Sequence, residues 1–340
     1  MAEVRGIDQQ PVSSWLVANV PGAVNPFSFD LIAGGRSNLT YKVTGADGSE
    51  FVLRRPPMGN VLATAHDMGR EHRIISAVGK TSVPVAPALG MCTDESVNGA
   101  PFYVMGYVDG VVLDSPDAGR AFPEPLRSVA AHSMIDTLAD LHAVNPDDIG
   151  LGELGRREGY IERQLKRWSI QWDRSKLREL PMMEEVHARL AAARPDQRYT
   201  GIVHGDYRLG NALVSRETGK ILAVLDWELC TLGDVLADVG YLLVYWSDPG
   251  PNPLRANDPS GSPGFPTRAE LLSRYAEKTG RDLAAVGYYE AFSCWRLACI
   301  AEGVRNRYRA GVMADTNDGA DAEDATAALA NRAMLAVDAL

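Results

Sequence analysis

Three short apolar runs, two of them around a polar loop, constrain this chain more than any other stretch. Apolar runs of this length bounded by polar residues predict strands. The segment is therefore interpreted as a strand, a loop and a hairpin. That arrangement brings Asp206 and Asn211 of the loop to one edge with Asp226, which follows the third run. The runs are Gly201-Ile-Val203, Ala212-Leu-Val214 and Ile221 to Leu225.

Two carboxylates and one amide at this spacing predict a base beside a hard-metal site. Mg²⁺ takes oxygen ligands, usually one or two carboxylates together with substrate phosphates. In phosphoryl transfer the protein mainly positions groups and neutralises charge, with an Asp beside the attacking hydroxyl. The interval from Asp206 to Asn211 equals the Asp-to-Asn interval of the protein-kinase catalytic loop.

Composition describes a soluble globular chain of 340 residues, long enough for two lobes. The net charge of −10 argues against a nucleic-acid partner, because phosphate backbones need a basic face. Four scattered cysteines without a C-x-x-C pair predict reduced, buried thiols. Neither a signal peptide nor an apolar run of the roughly 20 residues that a membrane span needs is visible. We therefore expect a cytoplasmic protein with no nucleic-acid or membrane partner.

Residues 27–55 predict three antiparallel strands, with a Gly-Gly bend after the first and an Asp-Gly turn after the second. A glycine loop between strands can lie over phosphates and offer its backbone N–H groups. The sequence alone favours an ordinary hairpin turn, because Gly34-Gly35 is not a full G-x-G-x-x-G.

The next helical segment, from Thr64, places a carboxylate on its apolar face. Met68, Glu71, Ile75 and Val78 share one face of this helix. A carboxylate directed into a core needs a cation, and Arg54 on the third strand is the obvious candidate. The alternative is that Glu71 lies at the edge of the stripe and reaches solvent. The two interpretations are evenly balanced.

A strand at Phe102–Met105 and a bend at 106–110 predict the end of one lobe and a hinge. The lobes are then residues 1–105 and 111–340, the second mostly helical. Its predicted helices cover 124–143, two stretches within 155–193, the apolar run 231–246, and 267–279, 284–310 and 322–339. His142 near the end of the first is interpreted as a capping or packing residue, since a helix dipole favours a cation there. The proline-rich segment 247–266 is interpreted as mobile surface or, less favoured, a substrate lid.

The chain resembles the aminoglycoside-phosphotransferase and choline-kinase group, over nearly its whole length. Within that group it looks closest to bacterial phosphotransferase-family proteins, which are similar to the kinase-like domain that animals fuse to certain acyl-CoA dehydrogenases. The resemblance implies an α+β, bilobal protein-kinase-like fold: a small antiparallel β-sheet N-lobe with one main helix, and a larger, mostly helical C-lobe. The motifs that carry it are His204-Gly-Asp206 through Asn211, Asp226-Trp-Glu228 and Gly233-Asp-x-x-x-Asp238.

This resemblance implies a role for each residue of the motifs. Asp206 is implied as the base or orienting carboxylate for the acceptor hydroxyl. Asn211 and Asp226 are implied as ligands of the Mg²⁺ that bridges the ATP phosphates. The implied supporting roles are bracing of the loop by His204, water-mediated support by Glu228, and acceptance of loop N–H groups by Asp238. The role implied for Asp238 agrees with its position in an apolar run, because a buried carboxylate needs hydrogen-bond partners.

In the N-lobe the resemblance implies contacts to ATP. The glycine loop would lie over the triphosphate, the pair Arg54–Glu71 would hold phosphate, and the backbone of Met105 to Tyr107 would read adenine. Arg54 stands where kinases usually have Lys; Arg keeps the charge but is not interchangeable with Lys. Val235 stands where Pro is frequent. The loop residues concerned are Gly34, Gly35, Ser37 and Asn38.

The function implied is ATP- and Mg²⁺-dependent transfer of phosphate to a hydroxyl of a small molecule, by a monomer or homodimer. The alternatives are a hydroxyacyl-CoA or choline-type alcohol kinase, and a nucleotide-binding pseudokinase with a scaffold role. The acceptor side is expected in 151–195 and 267–340. Two basic clusters there would favour an anionic acceptor if they faced the cleft, although a solvated surface is the favoured interpretation. The clusters are Arg305, Arg307 and Arg309, and Arg156, Arg157, Arg163, Lys166 and Arg167.

Overall fold

A computed structural model describes residues 4–33, 38–58, 67–247, 258–310 and 320–340. The chain separates into two compact units, residues 1–109 and 110–340. Each unit is described by itself.

The first unit is built on a five-stranded antiparallel sheet with the strand order β1-β2-β3-β5-β4. Three helices accompany the sheet. The strands are β1 (Ser28–Ala33), β2 (Leu39–Thr44), β3 (Glu50–Arg55), β4 (Ala88–Cys92) and β5 (Phe102–Gly106), and the helices are α1 (Gln9–Asn19), α2 (Met68–Val78) and α3 (Glu95–Asn98).

Alternation along the strands gives this sheet one apolar and one mixed face. Tyr41, Leu53 and Phe102 point to the apolar face and are buried together with Leu16 of α1. The ring of Trp15 packs edge-on against Phe102, with centroids 4.9 Å apart. The opposite face therefore carries the intervening residues of β3 and β5.

The second unit contains eight helices and two small sheets within the described residues, the sheets being β10-β7 and β6-β8-β9. Helix α10 packs against α6, α7, α8 and α11. The strands are β6 (Val111–Val112), β7 (Thr200–Val203), β8 (Ala212–Val214), β9 (Ile221–Val224) and β10 (Thr231–Asp234). The helices are α4 (Pro116–Ala121), α5 (Glu124–Ala143), α6 (Tyr160–Ser175), α7 (Pro181–Ala192), α8 (Leu236–Val244), α9 (Arg268–Thr279), α10 (Val286–Arg309) and α11 (Ala320–Asp338).

The interpretation of 231–246 as one buried helix is wrong in its first part. Residues 231–234 form β10, which pairs with β7 in the register Thr231↔Val203 to Asp234↔Thr200. Helix α8 begins only at Leu236. An apolar run cannot be assigned to strand or helix by its composition. Here the open edge of β7 decides, because its backbone groups need partners.

Strand β4 begins at Ala88, after Pro84 and Pro87, which have no N–H to donate to a ladder. Helix α6 begins at Tyr160, after Gly159 in the left-handed conformation with φ 61°. Helix α5 has the predicted bounds.

Part of the proline-rich segment lies outside the described residues, namely 248–257, so the question of a lid stays open there. The described remainder is packed against the second unit. Ser247 N donates to Ser260 Oγ at 2.8 Å, and Ser260 N donates to the buried Asp258 at 2.8 Å. Arg127 donates to Pro263 O at 2.6 Å.

All four cysteines are free and buried, as predicted. Burial raises the pKa of the Cys294 thiol to about 12 and raises that of Cys299 further still. Across the described ranges, no helix has the combined length and apolarity that crossing a membrane requires.

Gly240 sets the separation of α8 and α10. A Cβ at this position would lie 2.6 Å from Tyr289 Cβ and 2.7 Å from Glu290 N, both on α10. We expect Gly240→Ala to lower the free energy of unfolding by about 1–3 kcal/mol, the usual cost of overpacking. Urea unfolding followed by circular dichroism measures this.

Gly303→Ala is the matched control, because its Cβ would meet nothing closer than 3.6 Å. Helix propensity alone should make it neutral or stabilising by up to about 1 kcal/mol. Equal stability of the two variants would contradict the proposed close crossing.

Candidate active site

The polar loop after β7 is held by one buried carboxylate. Asp238, in the first turn of α8 and 1% exposed, accepts hydrogen bonds from His204 N at 2.6 Å and Gly205 N at 2.8 Å. Burial alone would raise the pKa of Asp238, but the hydrogen bond from His142 and those from the loop hold it below its usual value. Asp238 is therefore ionised at neutral pH and fixes the backbone that precedes Asp206.

His142 lies behind this carboxylate. Its Nε2 is 3.3 Å from Asp238 Oδ2, and its Nδ1 is 2.7 Å from the Tyr275 hydroxyl. Arg281 Nη1 donates to that hydroxyl at 2.8 Å. Burial lowers the pKa of His142, so the imidazole is neutral. The burial of His142 and these contacts confirm the expected packing role, and the lowered pKa argues against a cation at the helix end, because desolvation outweighs the effect of Asp238.

His204 ties the loop to the strand that leads to Asp226. Its Nε2 is 2.9 Å from Leu225 O, and its Nδ1 accepts from Asp206 N at 3.2 Å. A ring nitrogen that accepts an N–H is unprotonated, so we assign the proton to Nε2, where it donates to Leu225 O.

The loop and the hairpin bring Asp206, Asn211 and Asp226 together. Asn211 Nδ2 donates to Asp206 Oδ2 at 2.7 Å and to Asp206 O at 2.9 Å. Asn211 O accepts from Leu225 N at 2.8 Å, next to Asp226. Asp226 itself has φ 63°, a left-handed conformation that Asp tolerates better than most residues.

These side chains fit a divalent cation of the hard, oxygen-binding kind. The Asn211 amide nitrogen is engaged by Asp206, so its Oδ1 is the atom available to a metal. One amide and one carboxylate match Mg²⁺, which keeps several waters and takes substrate phosphates as further ligands. In the described residues there is no group of three or more His, Cys, Asp and Glu side chains that would suggest zinc. Glu228 lies in the short 3-10 turn after Asp226, partly buried.

Four residues around Asp206 were missed by reasoning from the sequence: Arg208, Tyr241, Tyr245 and Arg296. Arg208 Nε lies 3.6 Å from Asp206 Oδ1. Asp206 raises the pKa of both tyrosines, after burial as the main cause. Arg208 could have been noticed from its place in the loop motif. Arg296, 91 residues away from Gly205 in the chain, carried no local signal.

Most of the two basic clusters is solvated surface, as the favoured interpretation had it. Arg307 and Arg309 are exposed, as are Lys166 and Arg167. Arg157 and Arg163 are half-buried, and Arg305 is buried, where its Nη1 donates to Glu302 at 3.4 Å.

In the first unit, Glu71 is 2% exposed, and its partners include Arg54, Tyr103 and Asn38. Arg54 Nε lies 3.2 Å from Oε2, Tyr103 OH donates to Oε2 at 2.9 Å, and Asn38 Nδ2 donates to Oε1 at 3.1 Å. The alternative that Glu71 reaches solvent is wrong. Tyr103 was missed, although it is the cross-strand neighbour of Arg54.

The other expected nucleotide residues are only partly described. Gly34, Gly35 and Ser37 lie outside the described residues. Met105 is buried in β5, where it pairs with Val52 of β3. Tyr107 follows the strand, and Lys42 Nζ lies 4.3 Å from the centre of its ring.

Residues 28–271 match the model of the phosphotransferase enzyme family. The chain belongs to this family. Its relatives include mouse acyl-CoA dehydrogenase family member 10, 36% identical over 82% of this chain and 26% of the relative. Rat acyl-CoA dehydrogenase family member 11 is 33% identical over 82% of the chain and 36% of the relative. The chain therefore spans well under half the length of these relatives.

Solved structures show the same fold. One from Ralstonia eutropha, provisionally described as an aminoglycoside phosphotransferase, has a TM-score of 0.81 with 32% identity and covers 97% of both chains. The choline kinase of Cryptosporidium parvum has a TM-score of 0.67 at 12% identity, over 98% of this chain and 97% of its own, which shows the fold alone. The expected α+β, protein-kinase-like fold and the resemblance to this group are confirmed.

The buried neutral His142 makes stability depend on pH. An unfolded imidazole takes up a proton near its ordinary pKa of 6.5, whereas the folded one resists because its pKa is lowered by burial. Stability should therefore fall as pH drops below about 6.5, with a slope approaching 1.4 kcal/mol per pH unit for this one proton. His142→Gln should reduce that slope in urea unfolding between pH 7 and 5.

Burial also lowers the pKa values of the half-buried His72 and His187. The stability of His142→Gln should therefore still depend on pH, but less steeply than that of the parent protein. The measurements stop at pH 5 so that Asp238, whose pKa is lowered, stays ionised and does not add to the slope. An unchanged slope in His142→Gln would mean that this imidazole is protonated in the fold.

Proposed function

We propose that the protein is an ATP- and Mg²⁺-dependent phosphotransferase that moves the γ-phosphate of ATP to a hydroxyl of a small molecule. The observation that supports this best is the placement of Asp206, Asn211 and Asp226 on a loop and hairpin fixed by a buried carboxylate. A protein that used this fold only as a scaffold would have no need for all three.

Asp206 receives or orients the acceptor proton in this proposal. Its Oδ2 accepts one hydrogen bond from Asn211 and keeps a lone pair for a hydroxyl. The anchoring of the loop by Asp238 fixes where that oxygen points, and position is the main contribution a protein makes to this reaction. Asn211 and Asp226 would hold the Mg²⁺, which neutralises charge on the phosphates when bound.

The first unit supplies the nucleotide contacts in this proposal. Glu71 meets Arg54 at Nε, 3.2 Å from Oε2, and this pair holds the guanidinium in place. A guanidinium can bind phosphate with two parallel hydrogen bonds, which suits ATP. The backbone of Met105 to Tyr107 is proposed for adenine, and Gly34, Gly35 and Ser37 for the phosphates.

The acceptor is the part that the family leaves open, because one fold hosts many substrates. A relative provisionally described as an aminoglycoside phosphotransferase suggests aminoglycosides, and the choline kinase suggests small alcohols. A hydroxyacyl-CoA is a second candidate. It is favoured by the similarity to acyl-CoA dehydrogenase family members and by the arginines beside Asp206.

Asp206→Ala tests the proposed base. We expect ATP consumption with a true acceptor to fall by roughly 10²–10⁴-fold, the usual contribution of a general base. A coupled assay over a panel of aminoglycosides, choline-like alcohols and hydroxyacyl-CoAs measures it. Asp196→Ala, at an exposed aspartate of the same unit, should keep full activity. Undiminished turnover in Asp206→Ala would remove this residue from the mechanism.

Thermal shift with ATP separates the enzyme from a pseudokinase. ATP at 100 times its Kd should stabilise the protein by about 2.7 kcal/mol, and the shift should depend on Mg²⁺. Asp226→Asn should lose most of the Mg²⁺-dependent part, because one of the two metal ligands is neutralised. Stabilisation indifferent to Mg²⁺, together with no turnover on the panel, would favour the scaffold role.

A further inference from the structure

Arg208 occupies the immediate surroundings of the proposed base. Its Nε lies 3.6 Å from Asp206 Oδ1, and its guanidinium lies over the ring of Tyr245 at 5.3 Å from the centre. The side chain folds back over its own loop, where a Cβ at Gly210 would overlap its Nη1. The side chains of Arg208 and Asp206 keep 23% and 21% of their exposure, so both can meet a ligand.

The contact between Arg208 and Asp206 is one of charge rather than of hydrogen bonding. At 3.6 Å it is too long for a hydrogen bond, and Asp206 Oδ1 accepts none within the described part of the chain. Burial alone would lower the pKa of Arg208, but Asp206 and, more weakly, Tyr245, Tyr241 and Asp226 raise it. Arg208 therefore carries a positive charge that interacts with the carboxylates of both Asp206 and Asp226.

A second guanidinium binds the backbone next to the base. Arg296 of α10 is 5% exposed and donates to Gly205 O at 2.7 Å, one residue before Asp206. Its guanidinium lies 5.3 Å from the ring centre of Trp168 and 5.1 Å from that of Tyr241. Aromatic faces stabilise a cation without neutralising it. The base therefore has Arg208 beside it and the buried Arg296 at the preceding residue, and their charges offset those of Asp206 and Asp226.

This arrangement discriminates between ligands by charge. A cationic group of the acceptor that lies nearer to Arg208 than to the carboxylates of Asp206 and Asp226 is repelled by this guanidinium, whose Nε lies 3.6 Å from Asp206 Oδ1, at an effective dielectric well below that of water. A neutral group in that place meets no such repulsion, and an anionic one is attracted.

We propose that Arg208 is a specificity residue that favours acceptors bearing a negatively charged group near the reacting hydroxyl and excludes acceptors bearing an ammonium group there. The proposal rests on the proposed phosphotransferase function. It makes polycationic aminoglycosides and choline poor acceptors, in contrast to the names of several proteins that share the fold.

Mn²⁺ without nucleotide probes this charge and needs no turnover. Removing the guanidinium in Arg208→Gln should tighten Mn²⁺ binding on the order of tenfold, since a repulsive charge near the ligand carboxylates is lost. Arg208→Lys keeps the charge and should bind Mn²⁺ as the parent protein does. Lys220→Gln removes one charge at an exposed position of the same unit and should also match the parent.

Electron paramagnetic resonance of free Mn²⁺ measures the affinities, with circular dichroism to confirm that each variant is folded. Equal affinities in all four proteins, or no detectable binding to Arg208→Gln, would overturn the proposal. If Arg208→Gln does not fold, the acceptor preference of the parent protein, measured as described next, still tests the proposal.

Acceptor preference is the second arm. ATP consumption by the parent protein is compared with 3-hydroxybutyrate, 1,3-butanediol and choline, which offer a hydroxyl beside a negative, a neutral and a positive group. We expect kcat/KM for 3-hydroxybutyrate to exceed that for choline by at least about tenfold, and Arg208→Gln to narrow the ratio. A preference of the parent protein for choline would overturn the proposal. Absence of turnover on all three counts against these molecules as acceptors in the proposed function, while the Mn²⁺ result still decides the role of Arg208.

Discussion

The hydrogen bonds from two consecutive backbone N–H groups to one buried carboxylate are the constraint on which the second unit depends. A buried ionised carboxylate is costly unless its oxygens are fully engaged. Asp238 meets this condition with His204 N, Gly205 N and the His142 ring. The backbone of the loop at His204 and Gly205 is therefore held in place, because its movement would leave the buried charge of Asp238 without partners.

The same logic operates in the first unit with a different set of groups. Glu71 is buried on α2 and engaged by an arginine, a phenol and an amide from three strands or their ends. Each unit therefore contains a carboxylate that is stable only when several elements are correctly placed. Such networks are worth more than the sum of their pairs when complete, and are a liability when one member is lost.

Charged residues in apolar patterns were informative in the sequence. Asp238 in an apolar run pointed to the loop as its partner, whereas Glu71 on an apolar stripe pointed to Arg54 or, with equal weight, to solvent. The spacing of Asp206, Asn211 and Asp226 was enough to predict that they meet, because a loop and a hairpin are local structures. Resemblance to a known family supplied their expected roles and the α+β, protein-kinase-like fold.

What could not be predicted depends on contacts between distant parts of the chain. β10 was taken for helix because its identity is decided by the edge of β7, which an apolar run does not reveal. Arg296 reaches Gly205 from a helix late in the chain, and nothing in its neighbours marks it. Tyr103 and Arg208 lie between these cases: each is next to a recognised residue, but only the geometry shows that its side chain turns toward it.

Two of the buried thiols described above, Cys294 and Cys299, make the opening of α10 measurable. Burial raises the pKa of Cys294 and Cys299 on α10, so neither is a thiolate in the folded state, and only thiolates react. Alkylation at neutral pH then reports how often α10 is exposed, not how reactive its cysteines are. Helix α10 also carries Arg296 and the contact with Gly240. The rate at which a thiol reagent modifies Cys294 and Cys299 therefore measures how often the helix next to the loop opens.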